Sequence, residues 1–137
     1  MATIRVRHRH GDRFDVRIRA HDLTTDQPLD AGGEDLGPTP TELFVASLAA
    51  CVGYYAERYL RRHALPVEGL EVDAGFEMGE RPARVTSVVI DVRLPRGFPS
   101  ERLEALSRVV EHCTVHNSIR RAPEVRIGLG SREDRAA

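Results

Sequence analysis

The fold is decided by the stretch GPTPTELFVASLAAC, residues 37–51. Thr39 is suited to cap a helix, Pro40 to occupy its first position, and Glu42 to complete a capping box with Thr39. The pattern therefore predicts that a helix begins at Pro40.

This first predicted helix continues to Arg62 or His63, because Pro66 then stops it. Its first half is apolar almost all round, and its small residues allow another helix to approach closely. A helix without a polar face is buried on all sides, which so short a chain achieves with difficulty alone. We therefore expect a homodimer with this helix near the interface.

Working outward from the helix, alternating and periodic patterns predict the remaining elements. We expect strands at 2–9, 13–20, 69–78 and 84–94, a loop at 21–38, a helix at 101–112 capped by Ser100, a helical turn at 114–121, and a last strand through Val125, Ile127 and Leu129. The order β-β-α-β-β-α-β predicts one α+β domain over residues 1–130. We expect residues 131–137 to form a charged, frayed tail.

Charge is balanced in this chain, with 20 basic residues, all of them arginine, and 21 acidic residues. The balance argues against nucleic acid or an anionic membrane as the main partner. We find no stretch that resembles a membrane span or a signal peptide, and we expect a cytoplasmic protein. Six arginines alternate along the first two predicted strands and are interpreted as a solvated or dimer-facing surface: Arg5, Arg7, Arg9, Arg13, Arg17 and Arg19.

The chain has two cysteines, Cys51 and Cys113, which lie 62 positions apart. A permanent disulfide is unexpected in the cytosol, so metal or redox chemistry is favoured. A zinc site needs about four ligands at short spacing, and His112 and His116 beside Cys113 do not supply such a pattern. We therefore expect no metal. Cys51 alone fits a small core residue, whereas Cys113, at a helix end, is better placed for reactivity, and either histidine could promote its thiolate or simply lie at the surface.

Residues 37–51 resemble the signature of the OsmC/Ohr family, the osmotically inducible and organic hydroperoxide resistance proteins. The segment CTVHNS, residues 113–118, is similar to the second motif of that family. The resemblance covers nearly the whole chain. It implies an OsmC-like fold, built as an intertwined homodimer with a buried central helix and active sites at the subunit interface.

The resemblance also implies a thiol-dependent peroxidase that reduces organic hydroperoxides in oxidative-stress defence. Cys51 would be the peroxidatic residue that becomes a sulfenic acid, and Cys113 would resolve it as a disulfide. An external dithiol would restore both thiols, and no bound cofactor is expected. We assign Phe44, Ser47 and Tyr55 to the substrate pocket.

One position departs from the family pattern. The peroxidase members carry a glutamate directly after the motif proline, where this chain has Thr41. Glu42 follows, but nine residues before Cys51 it faces the opposite side of the helix. We interpret Glu42 as a helix cap rather than a catalytic group.

The arginine that activates the family thiolate corresponds to Arg9 or, less closely, to Arg13. Arg58 is an alternative from helix geometry, because it lies seven residues after Cys51 on nearly the same face. Two other functions remain open on the same scaffold. One is a redox sensor without turnover, and the other is a dimer that binds a small apolar molecule.

Overall fold

The computed structural model describes residues 1–131, so the predicted tail lies, from residue 132 onward, outside the described residues. The chain forms antiparallel strands in two groups, each followed by helices, which confirms the predicted α+β class. The described elements are β1 (Ile4–His10), β2 (Arg13–Ile18), β3 (His21–Thr25), α1 (Pro40–Arg62), β4 (Glu71–Gly79), β5 (Arg84–Arg93), α2 (Leu103–Glu111) and α3 (Thr114–Arg120). Within residues 1–131, no helix combines the length and apolarity that crossing a membrane requires.

Helix α1 begins and ends where the sequence predicts. The Thr39 hydroxyl accepts the Glu42 amide at 3.1 Å, and the Glu42 carboxylate accepts the Thr39 amide at 2.8 Å. This reciprocal pair closes the predicted capping box, so two amide groups that the helix cannot satisfy itself gain partners. The Thr39 amide also lowers the pKa of Glu42.

The strands form two separate antiparallel sheets. The N-terminal sheet has the order β1-β2-β3, and the second sheet pairs β4 with β5. Helices α1 and α2 pack together, and α1 lies against the second sheet. The core between them includes buried side chains of α1 and α2: Leu48, Val52, Ala56, Tyr59 and Leu106. The N-terminal sheet, by contrast, makes only marginal contacts with the other described strands and helices.

One face of the N-terminal sheet is apolar and uncovered. The register places Val6 opposite Val16 and Val16 opposite Leu23, so these side chains share a face. Ile4, Val6, Phe14 and Leu23 are all exposed there. The other face carries most of the arginines predicted to form a charged surface. A strand face this apolar is normally buried, so the single chain leaves part of its apolar surface unburied.

The first half of α1 also remains partly open. Val45 and Leu48 are buried, whereas Phe44, Ser47 and Ala50 are exposed. The all-round burial that the sequence predicts is therefore not reached within one chain. The reason is spatial, since α2, α3 and the second sheet cover one side of the helix only.

The element order differs from the predicted one in several places. The predicted loop at 21–38 begins with strand β3, because His21–Thr25 pair along β2. Its later part holds one turn of 3₁₀ helix, Leu29–Ala31. Ser100 does not cap a helix through its side chain and instead begins a 3₁₀ turn that leads into α2. These differences arise because the sequence pattern shows turn residues but does not show which edges are free to pair.

The predicted last strand is not formed by the described residues. Val125, Ile127 and Leu129 lie outside the described strands and helices and are 73%, 85% and 98% exposed. Their alternation is that of a strand, but a strand needs a neighbour for its backbone hydrogen bonds. Within residues 1–131 this segment pairs with neither sheet.

The loop that leads into α1 is organised by Asp26, which sequence analysis did not single out. Its carboxylate is buried and accepts the amides of Gln27 at 2.8 Å, Leu36 at 3.1 Å and Glu34 at 3.3 Å. The Leu36 amide is the main reason that the pKa of Asp26 lies below its usual value. A Cβ on Gly33 would overlap the Gln27 carbonyl, so the loop also needs glycine there.

Replacing Asp26 by asparagine is expected to destabilise the protein at neutral pH. Asparagine keeps one acceptor oxygen, but its NH₂ group cannot accept a hydrogen bond, so the backbone amides bound to the other carboxylate oxygen lose their partner. Since the folded pKa is lowered, the stabilisation by Asp26 is present above its unfolded pKa of about 3.9 and is lost as pH falls through the folded value. Urea unfolding between pH 3 and 7 measures the effect, with the exposed neighbour Asp30→Asn as the control. Equal urea midpoints for the two variants would contradict this role.

Candidate active site

The structure brings the two cysteines together. Cys51 lies in the middle of α1, and Cys113 lies between α2 and α3. Both are free thiols, with Cys51 half-buried and Cys113 fully buried. Cys51 packs against the buried cluster that contains Cys113, and the Val115 amide donates to Cys51 Sγ at 3.5 Å. Two side chains that are 62 positions apart in the sequence therefore share one site.

Apolar packing explains why the cysteines meet. Leu48 and Val52, one helical turn apart on α1, form a buried cluster with Cys113, and Cys51 packs against that cluster. The chain turns at Cys113, whose sulfur caps α3 by accepting the His116 amide at 3.4 Å. The Cys113 side chain is thus fixed by the His116 amide as well as by its packing against Leu48 and Val52.

Burial raises the pKa of the Cys113 thiol, and the adjacent Cys51 raises it further. The amides of His116 and Val115 oppose this effect without reversing it. Cys113 therefore keeps its proton at neutral pH.

The raised pKa of Cys113 predicts a loss of stability at alkaline pH in the reduced protein. A group with a raised folded pKa stabilises fully below its unfolded pKa, about 8.5 for cysteine, and this stabilisation is lost as pH rises through the folded value. Urea unfolding of reduced protein from pH 7 to 10 should therefore show a decline. Cys113→Ala is expected to have a shallower decline, and an unchanged slope would contradict the assignment.

A second side-chain contact joins α1 to the Cys113 segment. The hydroxyl of Tyr55, one helical turn after Cys51, lies 2.9 Å from the hydroxyl of Thr114. Tyr55 was predicted to line the substrate pocket. The structure places it beside the thiols, with its hydroxyl already engaged.

The other two predicted pocket residues lie on the same part of α1. The Ser47 hydroxyl donates to the Phe44 carbonyl at 2.7 Å and is otherwise exposed. Phe44 lines an open groove of about 630 Å³ between α1, β5 and α2. The groove is mostly apolar, with Ser107, Glu111 and His116 among its lining residues. Its lining includes Leu48 and Val52, which pack with Cys113, but Ser47, Tyr55 and the two cysteines do not line it.

The candidate arginines are not brought to the thiols by the contacts within one chain. Arg9 pairs with Asp15 at 3.0 Å on the N-terminal sheet. Arg13 approaches the same carboxylate at 3.9 Å, and its buried Nε has no hydrogen-bond partner within the described residues. Arg58 instead donates to the Tyr54 hydroxyl at 3.2 Å and lies over that ring. Which arginine acts on Cys51 therefore stays a prediction.

Two further polar residues considered in the sequence analysis, Glu42 and His112, have structural partners. Glu42 is engaged in the capping box, as predicted. The Nδ1 atom of His112 lies 2.7 Å from the Arg108 carbonyl oxygen, and the His112 carbonyl accepts the Asn117 side-chain amide at 3.1 Å. Within residues 1–131, no group of three or more histidine, cysteine or carboxylate side chains is arranged to hold a metal ion.

These features define a class of protein, an α+β chain that joins two distant thiols between a long central helix and a short following one. Residues 32–128 match the family of OsmC-like proteins, so the chain belongs to the OsmC family. This family match confirms the resemblance that the two cysteine motifs indicate. A comparison with curated proteins finds no match.

Solved structures share this fold. The chain is similar to an osmotic stress induced and detoxification response protein from Psychrobacter arcticus, with 22% identity, 86% of this chain and 88% of that chain covered, and a TM-score of 0.80. It is also similar to an organic hydroperoxide resistance protein from Legionella pneumophila, with 22% identity, coverage of 86% and 89%, and a TM-score of 0.66. The OhrB organic hydroperoxide resistance protein of Bacillus subtilis is 20% identical, with coverage of 86% and 90% and a TM-score of 0.58. At these identities the likeness establishes the fold.

Proposed function

We propose that this protein is a cytoplasmic, homodimeric, thiol-dependent peroxidase that reduces organic hydroperoxides. The observation that carries the proposal is the packing of Cys51 against the cluster that contains Cys113, within a chain of the OsmC family. The names of the Legionella and Bacillus proteins, which refer to organic hydroperoxide resistance, support the same activity.

The proposed first step uses Cys51, because it is the less buried thiol and lies on the rigid helix α1. Its thiolate attacks one peroxide oxygen, the O–O bond breaks, and the alkoxide takes up a proton to leave as an alcohol. The Cys51 sulfur becomes a sulfenic acid. The Val115 amide, which already points at this sulfur, stabilises negative charge on it.

The proposed second step uses Cys113. Its thiol loses a proton, its sulfur attacks the Cys51 sulfur, and the S–O bond breaks as the S–S bond forms. The departing hydroxide combines with a proton to give water. An external dithiol then reduces the disulfide by thiol–disulfide exchange, so the cycle needs no bound cofactor.

Assembly as a dimer is part of this proposal. The uncovered apolar face of the N-terminal sheet, the exposed side of α1 and the exposed side chains of Val125, Ile127 and Leu129 support this assembly, because a partner would bury them. A second copy of the chain supplies matching surfaces of the same kinds. In such a dimer the N-terminal sheet of one protomer can carry an arginine, Arg9 in the first place, to the thiols of the other.

Stopped-flow mixing of the reduced protein with cumene hydroperoxide tests the activity. We expect rapid loss of two thiols per protomer, and mass spectrometry of the product should find a Cys51–Cys113 bond. Slow or absent oxidation would show that Thr41, in place of glutamate, has removed the chemistry. The reading as a redox sensor would then predict slow oxidation of Cys51 without turnover by any dithiol.

The apolar groove favours a second candidate function, the binding of a small apolar molecule. Its walls include Leu48 and Val52 from α1, Val88 and Ile90 from β5, and Leu106 from α2. A volume of about 630 Å³ is in the range of ligand pockets. Native mass spectrometry tests this candidate. A fatty acid retained by fully reduced, unreactive protein would favour binding over peroxide reduction.

A further inference from the structure

We infer that Tyr55 is a positioning residue for the thiol pair. Its hydrogen bond to Thr114 holds the segment 113–115 against the turn of α1 that carries Cys51, and it thereby controls how readily the two sulfurs join. This inference rests on the proposed function for its role in turnover, but not for its effect on the pairing of the thiols.

The first support is the position of Thr114. It stands between Cys113, whose buried cluster packs against Cys51, and Val115, whose amide donates to Cys51 Sγ. The Tyr55 hydroxyl on α1 forms a hydrogen bond with the hydroxyl of this middle residue, although the two residues are 59 positions apart in the sequence. The three consecutive residues of the segment are therefore each attached to the same helical turn and the one after it.

The second support is the character of the attachment. The hydrogen bond between Tyr55 and Thr114 joins two side chains of defined geometry, whereas the Val115 contact to sulfur is long, at 3.5 Å. Tyr55 also packs on the apolar cluster around Leu48, Val52 and Cys113, which fixes its ring. A packed ring with a bonded hydroxyl restrains the segment more firmly than an amide–sulfur contact does.

Disulfide formation is sensitive to such restraint. The bond requires Cα atoms within about 7 Å and a narrow range of dihedral angles. In the resolving step, the Cys113 sulfur must reach the Cys51 sulfur opposite the leaving hydroxide. Small displacements of an attacking group lower reaction rates strongly. Loss of one neutral hydrogen bond should therefore reduce the joining of the sulfurs roughly three- to tenfold.

Two variants remove the hydrogen bond from either side, Tyr55→Phe and Thr114→Val, and Thr114→Ser retains a hydroxyl. Tyr54→Phe is the matched control, since it removes the neighbouring tyrosine hydroxyl, which contacts Arg58 instead. The first measurement is the exchange equilibrium with reduced and oxidised glutathione, which gives the effective concentration of the two thiols without any peroxide. The second is the rate of disulfide formation after cumene hydroperoxide, with sulfenic acid trapped by dimedone.

We expect Tyr55→Phe and Thr114→Val each to lower the effective concentration and the resolving rate roughly three- to tenfold. Thr114→Ser and Tyr54→Phe should stay near wild type, and the double variant should lose no more than either single one. The inference is overturned if Tyr55→Phe matches wild type in the glutathione equilibrium, or if Thr114→Ser is as impaired as Thr114→Val. If the wild-type protein does not react with peroxide, the proposed function is wrong. The role of Tyr55 is still decided separately by the glutathione equilibrium.

Discussion

Replacing Cys51 by serine should lower the rate of peroxide reduction by about three orders of magnitude or more, because the variant lacks the attacking thiolate. A serine hydroxyl has a similar size but stays protonated at neutral pH, so the site keeps its shape and loses its nucleophile. The rate of cumene hydroperoxide consumption, with a dithiol in excess, measures the loss.

The matched control for this experiment is Cys113→Ser. Without added dithiol, this variant keeps the proposed nucleophile and should reduce about one peroxide per protomer, with sulfenic acid then accumulating on Cys51. The two variants are thus expected to stop at different steps. Cys51→Ser stops before peroxide is reduced, and Cys113→Ser stops after Cys51 is oxidised. Equal peroxide consumption by wild type and Cys51→Ser would show that Cys51 is not the peroxidatic residue.

The second large effect is expected at the apolar face of the N-terminal sheet. Val6 is 55% exposed in the single chain, so aspartate there costs the isolated chain little. If this face is the dimer interface, the same substitution buries an unpaired carboxylate. We expect Val6→Asp to weaken dimerisation by about a hundredfold or more.

Val89→Asp controls for the substitution itself. Val89 is 62% exposed and points away from the core of the second sheet, so we expect this variant to remain dimeric. Analytical ultracentrifugation over a range of concentrations distinguishes the two variants. A dimer unaffected by Val6→Asp would place the interface elsewhere, on α1 or on the segment at 122–131.

Local signals in the sequence predicted the elements that local chemistry determines. The capping box of Thr39 and Glu42 set the start of α1, and the alternation around Val88 and Ile90 set strand β5. The pairing of Cys51 with Cys113 came from the resemblance to a family, since no local pattern connects residues so far apart. The contact itself depends on how α3 returns to α1, which is a tertiary property.

What the sequence did not show also has physical reasons. Asp26 is a single carboxylate in a loop rich in turn residues, and only the folded loop aims three amides at it. Strand β3 has few apolar residues, so its pairing with β2 was not apparent. Val125 has the alternation of a strand, yet a strand forms only where a neighbouring edge is offered.

The sulfur of Cys113 is also the cap of α3, because it accepts the His116 amide. When Cys113 forms a disulfide, the electron density on its sulfur changes. The orientation of its side chain changes as well, because the S–S bond has a specific geometry. The environment of one backbone proton is therefore tied to the oxidation state of the pair. In a ¹⁵N-labelled sample, the amide resonance of His116 would act as a built-in redox gauge that follows turnover without any added dye.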